Sequence, residues 1–311
     1  MNTLFQHTSV LLKEAIQGLN IRPDGIYIDG TFGRGGHSRV ILEGLSQEGR
    51  LLVVDKDEAA IEYAQQQFGQ DPRVIIRHGS FQEIGGYAEQ LGWTRKVDGV
   101  LLDLGVSSPQ LDDPDRGFSF SQDGPLDMRM NNANGLTLAD WLQKVSMEDL
   151  ALVLRNYGEE RYAKRIARAV VEKSKEQAIE GTLQLAKIIS EAHPRWEKHK
   201  HPATRSFQAM RIFLNRELED LQEGLEYIAQ ILAEHGRLVA ISFHSLEDRI
   251  VKRFIQYQIK GDEIPRGLPI MDTWEPRFKK VGKAVKASKE EVDGNPRARS
   301  AIMRIAENLV V

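Results

Sequence analysis

The sequence has no cysteine and no long apolar run, and each absence excludes a class of protein. Without cysteine among its 311 residues, the chain has no disulfides, thiolate zinc sites or cysteine-bound iron–sulfur clusters. No apolar segment approaches the roughly 20 residues that span a bilayer, and the N-terminal residues lack a basic start followed by an apolar core. We therefore expect a cytoplasmic protein without a membrane partner.

The charge is small overall but unevenly distributed. The net charge of −3 does not by itself indicate a polyanionic partner. Residues 161–216, however, contain 13 Lys or Arg against 5 Glu and no Asp. If residues 159–173 are helical, four cations share one stripe: Arg161, Lys164, Arg165 and Arg168. The stripe is either an ordinary solvated face or a phosphate-binding surface, and the local excess of positive charge favours the second interpretation.

Short apolar runs alternate with helical patterns in the first third of the chain. Four runs end in Asp or Gly and are typical of buried parallel strands, at 26–30, 51–55, 73–79 and 97–105. Helical patterns lie between them, and Asp57 is predicted to cap one that covers 57–68. This alternation predicts an α/β fold with a doubly wound, Rossmann-like sheet.

The alternation stops near Asp112 and a strand pattern resumes at 236–245. The intervening residues begin as a loop rich in Asp, Pro, Gly and Ser and continue as helical patterns, with an apolar row at helical spacing over 204–221. We therefore predict a core formed by 1–112 and 220–311 and an inserted helical substrate-binding domain at 113–219. At the chain ends we expect a helix capped by Thr8 or Ser9 and an antiparallel edge strand at 300–307.

A glycine-rich turn follows the first predicted strand, in the sequence DGTFGRGGHS. Gly33, Gly35 and Gly36 allow the backbone to turn sharply and approach a ligand before the next helix begins. The dinucleotide fingerprint would require glycine at position 38, where Ser38 stands. The turn therefore favours a nucleotide-like ligand without phosphates.

Acidic and aromatic residues follow the other predicted strands. Asp55 can accept hydrogen bonds from both ribose hydroxyls, and Phe81 can face an adenine ring. Asp103 lies at the carboxyl edge, where open α/β sheets bind ligands. Each residue alone is also explained as a helix cap or core residue, but the ordered set is more specific. Adenosine with cationic sulfonium and ammonium groups fits it, and we predict S-adenosylmethionine as the cofactor.

Seven groups of motifs extend this interpretation over nearly the whole chain. They are HTSVLL at 7–12, IDGTFGRGGHS at 28–38, LLDLGVSSPQLD at 101–112, RGFSF and GPLDMRM within 116–130, HPATRSFQAMRI at 201–212, ISFHSLEDRIVK at 241–252 and NPRARSAIMRI at 295–305. In these motifs the chain resembles the bacterial 16S rRNA cytosine-N(4) methyltransferases, the RsmH or MraW family.

The resemblance implies a substrate, a partner and a set of cofactor contacts. The implied acceptor is N(4) of a cytidine in the decoding region of 16S rRNA within the small ribosomal subunit, with the insert binding substrate. The implied cofactor contacts are Gly35, Gly36, His37, Asp55, Phe81, Asp103 and Gln110. The oligomeric state stays open, a homodimer included.

The expected chemistry is an in-line methyl transfer that needs no metal and no covalent enzyme intermediate. Methylation of a pyrimidine ring carbon usually requires a thiolate, so a chain without cysteine favours an amino or hydroxyl acceptor. We predict Asp103 as the catalytic acceptor of a proton from the amino group, assisted by Ser107 or Ser108. Alternatively, the two serines cap the turn before Pro109.

Other features leave alternatives open. Phe118 and Phe120 are either stacking partners for an extruded base or core residues. The three histidines of 193–201 lack a metal-ligand spacing, and we expect no metal. The rival functions are a DNA amino methyltransferase and a ribosome-assembly factor that binds S-adenosylmethionine without transferring methyl groups.

Overall fold

The computed structural model describes residues 9–195, 201–261 and 274–310 and divides into two compact units. The first unit comprises Met1–Gly105 and Leu218–Val311, and the second comprises Val106–Glu217. The corresponding limits predicted from the sequence are 112/113 and 219/220. Each unit contains its own cluster of buried apolar side chains.

A mostly parallel sheet forms the centre of the first unit. Its order is β3-β2-β1-β4-β5-β8-β6, with β7 also paired to β8. Strands β1 to β5 are parallel, whereas β8 runs antiparallel to β5, β6 and β7. The bounds are β1 Ile26–Asp29, β2 Arg50–Asp55, β3 Val74–His78, β4 Val97–Asp103, β5 Leu232–Ser242, β6 Phe278–Lys280, β7 Val285–Lys286 and β8 Ile302–Asn308. The predicted α/β fold class is confirmed.

Helices cover both faces of this sheet, because successive strand side chains point to opposite sides. Leu51 and Val53 of β2 pack with one set of helices, whereas Leu52 and Val54 pack with the other. The first set is α1 Leu12–Leu19, α2 Gly36–Glu43 and α3 Glu58–Phe68; the second is α4 Ile84–Gln90, α11 Glu217–Ile231 and α12 Ser245–Lys260. A short helix, α13 Lys289–Gly294, precedes β8. None of the described helices is long and apolar enough to cross a membrane.

Two predictions for the chain ends are corrected. Helix α1 begins at Leu12, after Leu11 in the left-handed region with φ 52°, so Ser9 is not its cap; Thr8 lies outside the described residues. The amide of Leu11 instead donates to Glu291 Oε1 at 2.6 Å, a partner that no local pattern indicates. Strand β8 is antiparallel as expected, but it is not an edge strand because β6 and β7 pair with its outer side.

The second unit is helical. Its helices are α5 Ser108–Asp112, α6 Leu138–Lys144, α7 Met147–Gly158, α8 Ala163–Glu176, α9 Thr182–Ala192 and α10 Thr204–Leu214. Phe118 is buried in the core of this unit. The ring of Phe120 lies 4.7 Å from the rings of His201 and Phe207, between centroids. Phe118 is therefore a core residue, and Phe120 is partly buried against the core of this unit.

The apolar row at 204–221 does not belong to one helix. Helix α10 ends at Leu214, and the side chain of Asn215 bonds to the carbonyls of Met128 and Arg211, both at 2.9 Å. Arg216 then adopts φ 52° and α11 begins at Glu217. The sequence pattern misses this break because apolar side chains continue at helical spacing through it.

Candidate active site

The glycine-rich turn lies between β1 and α2. Gly33 and Gly35 have φ values of 55° and 70°, in the left-handed region that favours glycine. A Cβ at Gly35 would collide with the ring of Phe32, and one at Gly36 would collide with the Ser9 hydroxyl. Packing of the protein itself therefore requires glycine at positions 35 and 36, and glycine at such a turn lets the backbone approach a ligand closely.

Asp29, at the end of β1, holds the turn in place. Its Oδ2 accepts a hydrogen bond from the Ser38 hydroxyl at 2.6 Å, and its Oδ1 accepts one from the Thr31 amide at 3.2 Å. The Thr31 hydroxyl oxygen in turn accepts a hydrogen bond from the Asp103 amide at 2.6 Å. Burial raises the pKa of Asp29 to about 6. Sequence reasoning missed this role, although Ser38 in place of a glycine was its local signal.

Asp55, at the end of β2, also contacts the turn. Its Oδ2 accepts the Gly33 amide at 2.8 Å and its Oδ1 accepts the Asp57 amide at 2.9 Å. A carboxylate oxygen has two lone pairs, so both oxygens can still accept hydrogen bonds from a ribose. Burial raises the pKa of Asp55 to about 6, and the nearby charges of Asp57 and Asp29 add to this effect.

Asp103, at the end of β4, lies beside His37. Its Oδ2 is 3.7 Å from His37 Nδ1, and His37 Nε2 is 3.2 Å from the Val10 carbonyl oxygen. Oδ1 of Asp103 is buried and has no hydrogen-bond partner among the residues that the structure describes. Burial, followed by the charges of Asp29 and Glu247, raises the pKa of Asp103 well above its usual value. A donor or cation beside Oδ1 would relieve this unfavourable arrangement.

Phe81 begins a 3₁₀ turn, Phe81–Glu83, which is separated from the end of β3 by Gly79 and Ser80. The turn is stabilised by Ser80, whose amide donates to Glu83 Oε2 at 2.8 Å. A Cβ at Gly30, the residue after β1, would lie 3.1 Å from the Phe81 Cβ. Phe81 therefore stands beside the end of β1, and Gly30 gives it room.

A buried carboxylate connects the loops that carry Asp55 and Phe81. Asp220, which is 2% exposed, forms an ion pair with Lys56 and accepts the Ser80 hydroxyl at 2.8 Å. Lys56 directly follows Asp55, and Ser80 directly precedes Phe81. The sequence does not reveal this link because Ser80 and Asp220 are 140 residues apart.

Ser107 and Gln110 belong to the second unit. The other predicted site residues belong to the first: Gly33, Gly35, Gly36, His37, Asp55, Phe81 and Asp103. Ser107 occupies the N-cap position of α5, and its amide donates to Gln110 Oε1 at 2.9 Å. Gln110 is buried. This geometry corresponds to the capping alternative for Ser107, and the roles of both residues in catalysis or binding stay predictions.

The chain matches a known protein family over nearly its whole length. A family model described as the MraW methylase family matches residues 4–309. The chain belongs to the MraW methylase family. The resemblance read from the motifs is thereby confirmed, and so is the predicted cofactor: the protein is a methyltransferase that uses S-adenosylmethionine.

Solved structures with a similar arrangement have low sequence identity. An rRNA methylase from Streptococcus thermophilus has 11% identity and a TM-score of 0.44, with 97% of this chain and 98% of that chain covered. An S-adenosylmethionine-dependent O-methyltransferase from Thermotoga maritima has 11% identity and a TM-score of 0.43, with 99% and 69% covered. Neither similarity carries an argument about the substrate.

The residues of the first unit fit S-adenosylmethionine. The ligand is cationic at its sulfonium and ammonium groups, and the three strand-end carboxylates all have pKa values raised by burial. A nearby cation stabilises the ionised form of such groups. The buried Oδ1 of Asp103, without a partner in the described ranges, is the clearest mark of a missing polar ligand.

Proposed function

We propose that this methyltransferase is a cytoplasmic enzyme that methylates N(4) of a cytidine in the decoding region of 16S rRNA. Membership of the MraW methylase family and the seven groups of motifs support an rRNA substrate. The absence of cysteine supports an amino group over a ring carbon as the acceptor. The main observation behind the proposed proton transfer is Asp103, whose Oδ1 is buried and has no hydrogen-bond partner among the described residues.

Methyl transfer to an amino nitrogen requires a proton acceptor close to that nitrogen. The lone pair of a cytosine amino group is delocalised into the ring, so a hydrogen bond from its N–H to Asp103 would help the nitrogen to pyramidalise. S-adenosylmethionine supplies, when bound, the electrophilic methyl group on its sulfonium. As the new N–C bond forms, the methyl–sulfur bond would break with its electron pair passing to the sulfur, which would leave as a neutral thioether. The proton of the nitrogen would pass to Asp103, with Ser107 assisting.

The cofactor contacts in this proposal follow the geometry of the first unit. The turn at Gly33, Gly35 and Gly36 admits the ligand without side-chain collision, Asp55 accepts the ribose hydroxyls, and Phe81 faces the adenine. His37, another predicted cofactor contact, stands 3.7 Å from the Asp103 carboxylate, so these two predicted contacts lie together. Gln110, buried in the second unit, is the remaining predicted contact.

The second unit supports an RNA substrate through α8. Arg161, at its N-terminal edge, and Lys164, Arg165 and Arg168 are exposed, whereas Ile166 and Val170 are buried. The basic stripe is thus turned away from the core of this unit, as phosphate contact requires. We propose that this surface binds 16S rRNA.

The decisive experiment supplies the protein with labelled S-adenosylmethionine and small subunits from cells that lack the enzyme. Digestion of the RNA and mass spectrometry then identify the methylated nucleoside. N(4)-methylcytidine is the expected product. Label in duplex DNA alone would instead establish a DNA amino methyltransferase.

A cellular test separates the enzyme from an assembly factor. An Asp103→Ala protein that binds but cannot transfer methyl groups should fail to restore N(4)-methylcytidine in cells lacking the enzyme. Full rescue of subunit assembly by this variant, with no label in any substrate, would favour the assembly factor.

A further inference from the structure

The lysine-rich segment 279–289 is not accounted for by the proposed active site. It contains five lysines and no acidic residue: Lys279, Lys280, Lys283, Lys286 and Lys289. Lys279 is neutralised by an ion pair with Glu307 at 2.7 Å. The remaining four lysines are exposed and could contact an anionic partner.

The strand pairing of this segment is interrupted by a bulge. Lys280 is opposite Ala306, the Val281 amide donates to the Ile305 carbonyl at 3.0 Å, and pairing resumes at Val285 opposite Met303. Residues 282–284 therefore face a single residue of β8, Arg304. Gly282, with φ 72°, permits the departure from the strand.

The bulge forms one wall of a cavity of about 230 Å³ in the first unit. Its charged lining comprises Lys252 of α12, Lys280, Lys283 and Arg304. Arg304 is neutralised by Asp248, with N–O distances of 2.7 and 3.0 Å. Within the described ranges, none of the three lysines has a carboxylate partner, so the lining retains their positive charge.

Three uncompensated ammonium groups around one cavity repel one another, and an anion would turn this repulsion into attraction. Lysine is a common ligand for phosphate because it presents a compact charge with three donors. Ile255, Ala284 and Ile305 complete the lining, and the charged groups that could hold an anion are the three lysines.

We propose that this cavity binds backbone phosphates of RNA, giving the first unit an RNA contact of its own in addition to the basic stripe of α8. The proposal rests on the proposed function in that RNA is the substrate, but it does not depend on which atom is methylated. RNA is preferred to an anionic membrane because the chain is a methyltransferase with a second exposed basic stripe of the same kind.

The test compares two double variants of the full-length protein. Lys252→Gln with Lys283→Gln removes two charges from the cavity, whereas Lys13→Gln with Lys96→Gln removes two exposed charges elsewhere in the same unit. Binding of a fluorescent oligouridylate RNA is followed by anisotropy between about 50 and 200 mM salt. The cavity variant should bind several-fold more weakly, and its logarithmic salt slope should fall by about 1.4, or about 0.7 for each lost contact.

The control variant should bind RNA like the unmodified protein, and both variants should keep their S-adenosylmethionine affinity and thermal unfolding midpoint. Equal RNA affinity and equal salt slope for the cavity variant would overturn the proposal. So would lysine-dependent binding to phosphatidylglycerol vesicles without a corresponding effect on RNA. Because binding is measured without methyl transfer, an absence of N(4)-methylcytidine would refute the proposed function and leave this result standing.

Discussion

The three strand-end carboxylates are costly to ionise in the protein without a ligand. Asp29 and Asp55 have pKa values of about 6, and that of Asp103 is higher than usual, in each case mainly because burial disfavours the charge. The native state therefore binds protons more tightly than the unfolded chain between about pH 4 and pH 6. Over that window, the contribution of these groups to stability falls as the pH rises.

This titration predicts a pH-dependent preference for the charged cofactor. The ionised carboxylates attract a sulfonium, so affinity for S-adenosylmethionine relative to S-adenosylhomocysteine, whose sulfur is neutral, should increase between about pH 5 and pH 7.5. Calorimetric titration of both ligands at each pH measures the ratio. Asp103→Asn should reduce this pH dependence, because Asp29 and Asp55 remain to titrate. Parallel changes for the two ligands would show that these carboxylates do not sense the sulfonium.

Replacing Asp55 tests the predicted ribose contact. Asp55→Ala should weaken S-adenosylmethionine binding by about 1–3 kcal/mol through lost hydrogen bonds, as measured by calorimetry. Glu62→Ala, on the exposed side of α3, serves as the control and should leave the affinity unchanged. Since Asp55 also accepts the Gly33 amide, thermal unfolding must confirm that the variant is folded. Unchanged affinity in the folded variant would contradict the assignment.

At the scale of elements, α11 supports loops that are distant in sequence. Asp220, in its first turn, links the loops after β2 and β3 through Lys56 and Ser80. Asparagine at this position can still accept the Ser80 hydroxyl but loses the charge that attracts Lys56. Loss of this charge should therefore loosen the loops that carry Asp55 and Phe81.

Asp220→Asn should therefore raise KM for S-adenosylmethionine several-fold while largely preserving kcat at saturating cofactor, because Asp220 positions residues without touching the reacting atoms. Steady-state kinetics on small subunits measures both constants. Glu226→Gln, on the exposed side of α11, should change neither. A fall in kcat with unchanged KM would mean that Asp220 does not act through the cofactor loops.

Helix α8 offers a second test at this scale. Arg165→Glu should weaken RNA binding and reduce its salt dependence while leaving cofactor affinity intact. Arg155→Glu on α7 makes the same charge change at an exposed position of the same unit. Both can be compared by anisotropy with a labelled rRNA fragment. Equal RNA affinities would return the stripe to the interpretation of an ordinary solvated face.

At the scale of the whole molecule, RNA attraction must come from local surfaces because the net charge is −3. Raising salt from about 50 to 200 mM should strongly reduce methyl transfer to small subunits at limiting substrate. Affinity for S-adenosylmethionine should change little over the same range, because its carboxylate contacts Asp55 and Asp103 are half-buried and less screened than exposed charges. Filter-binding of methylated subunits and calorimetry give the two quantities. Equal salt sensitivity would contradict binding through exposed basic surfaces.

The sequence by itself determined the features that are encoded locally. Apolar runs ending in Asp or Gly identified β1 to β4, because buried parallel strands need continuous apolar side chains. Asp57 was correctly identified as the cap of α3, where its Oδ1 accepts the Ala59 amide at 3.1 Å. The glycine turn was likewise readable, since the positive φ values at Gly33 and Gly35 lie in a region that favours glycine.

The tertiary structure alone decided what depends on partners distant in sequence. Glu291 accepts the Leu11 amide before α1, β6 and β7 cover the outer side of β8, and Asp220 reaches Ser80. Burial of Asp103, which raises its pKa and leaves Oδ1 without a described partner, is also a product of packing. A local pattern specifies which face of an element is apolar and where it turns, but only the packed chain determines what meets that face and how strongly a buried charge is disfavoured.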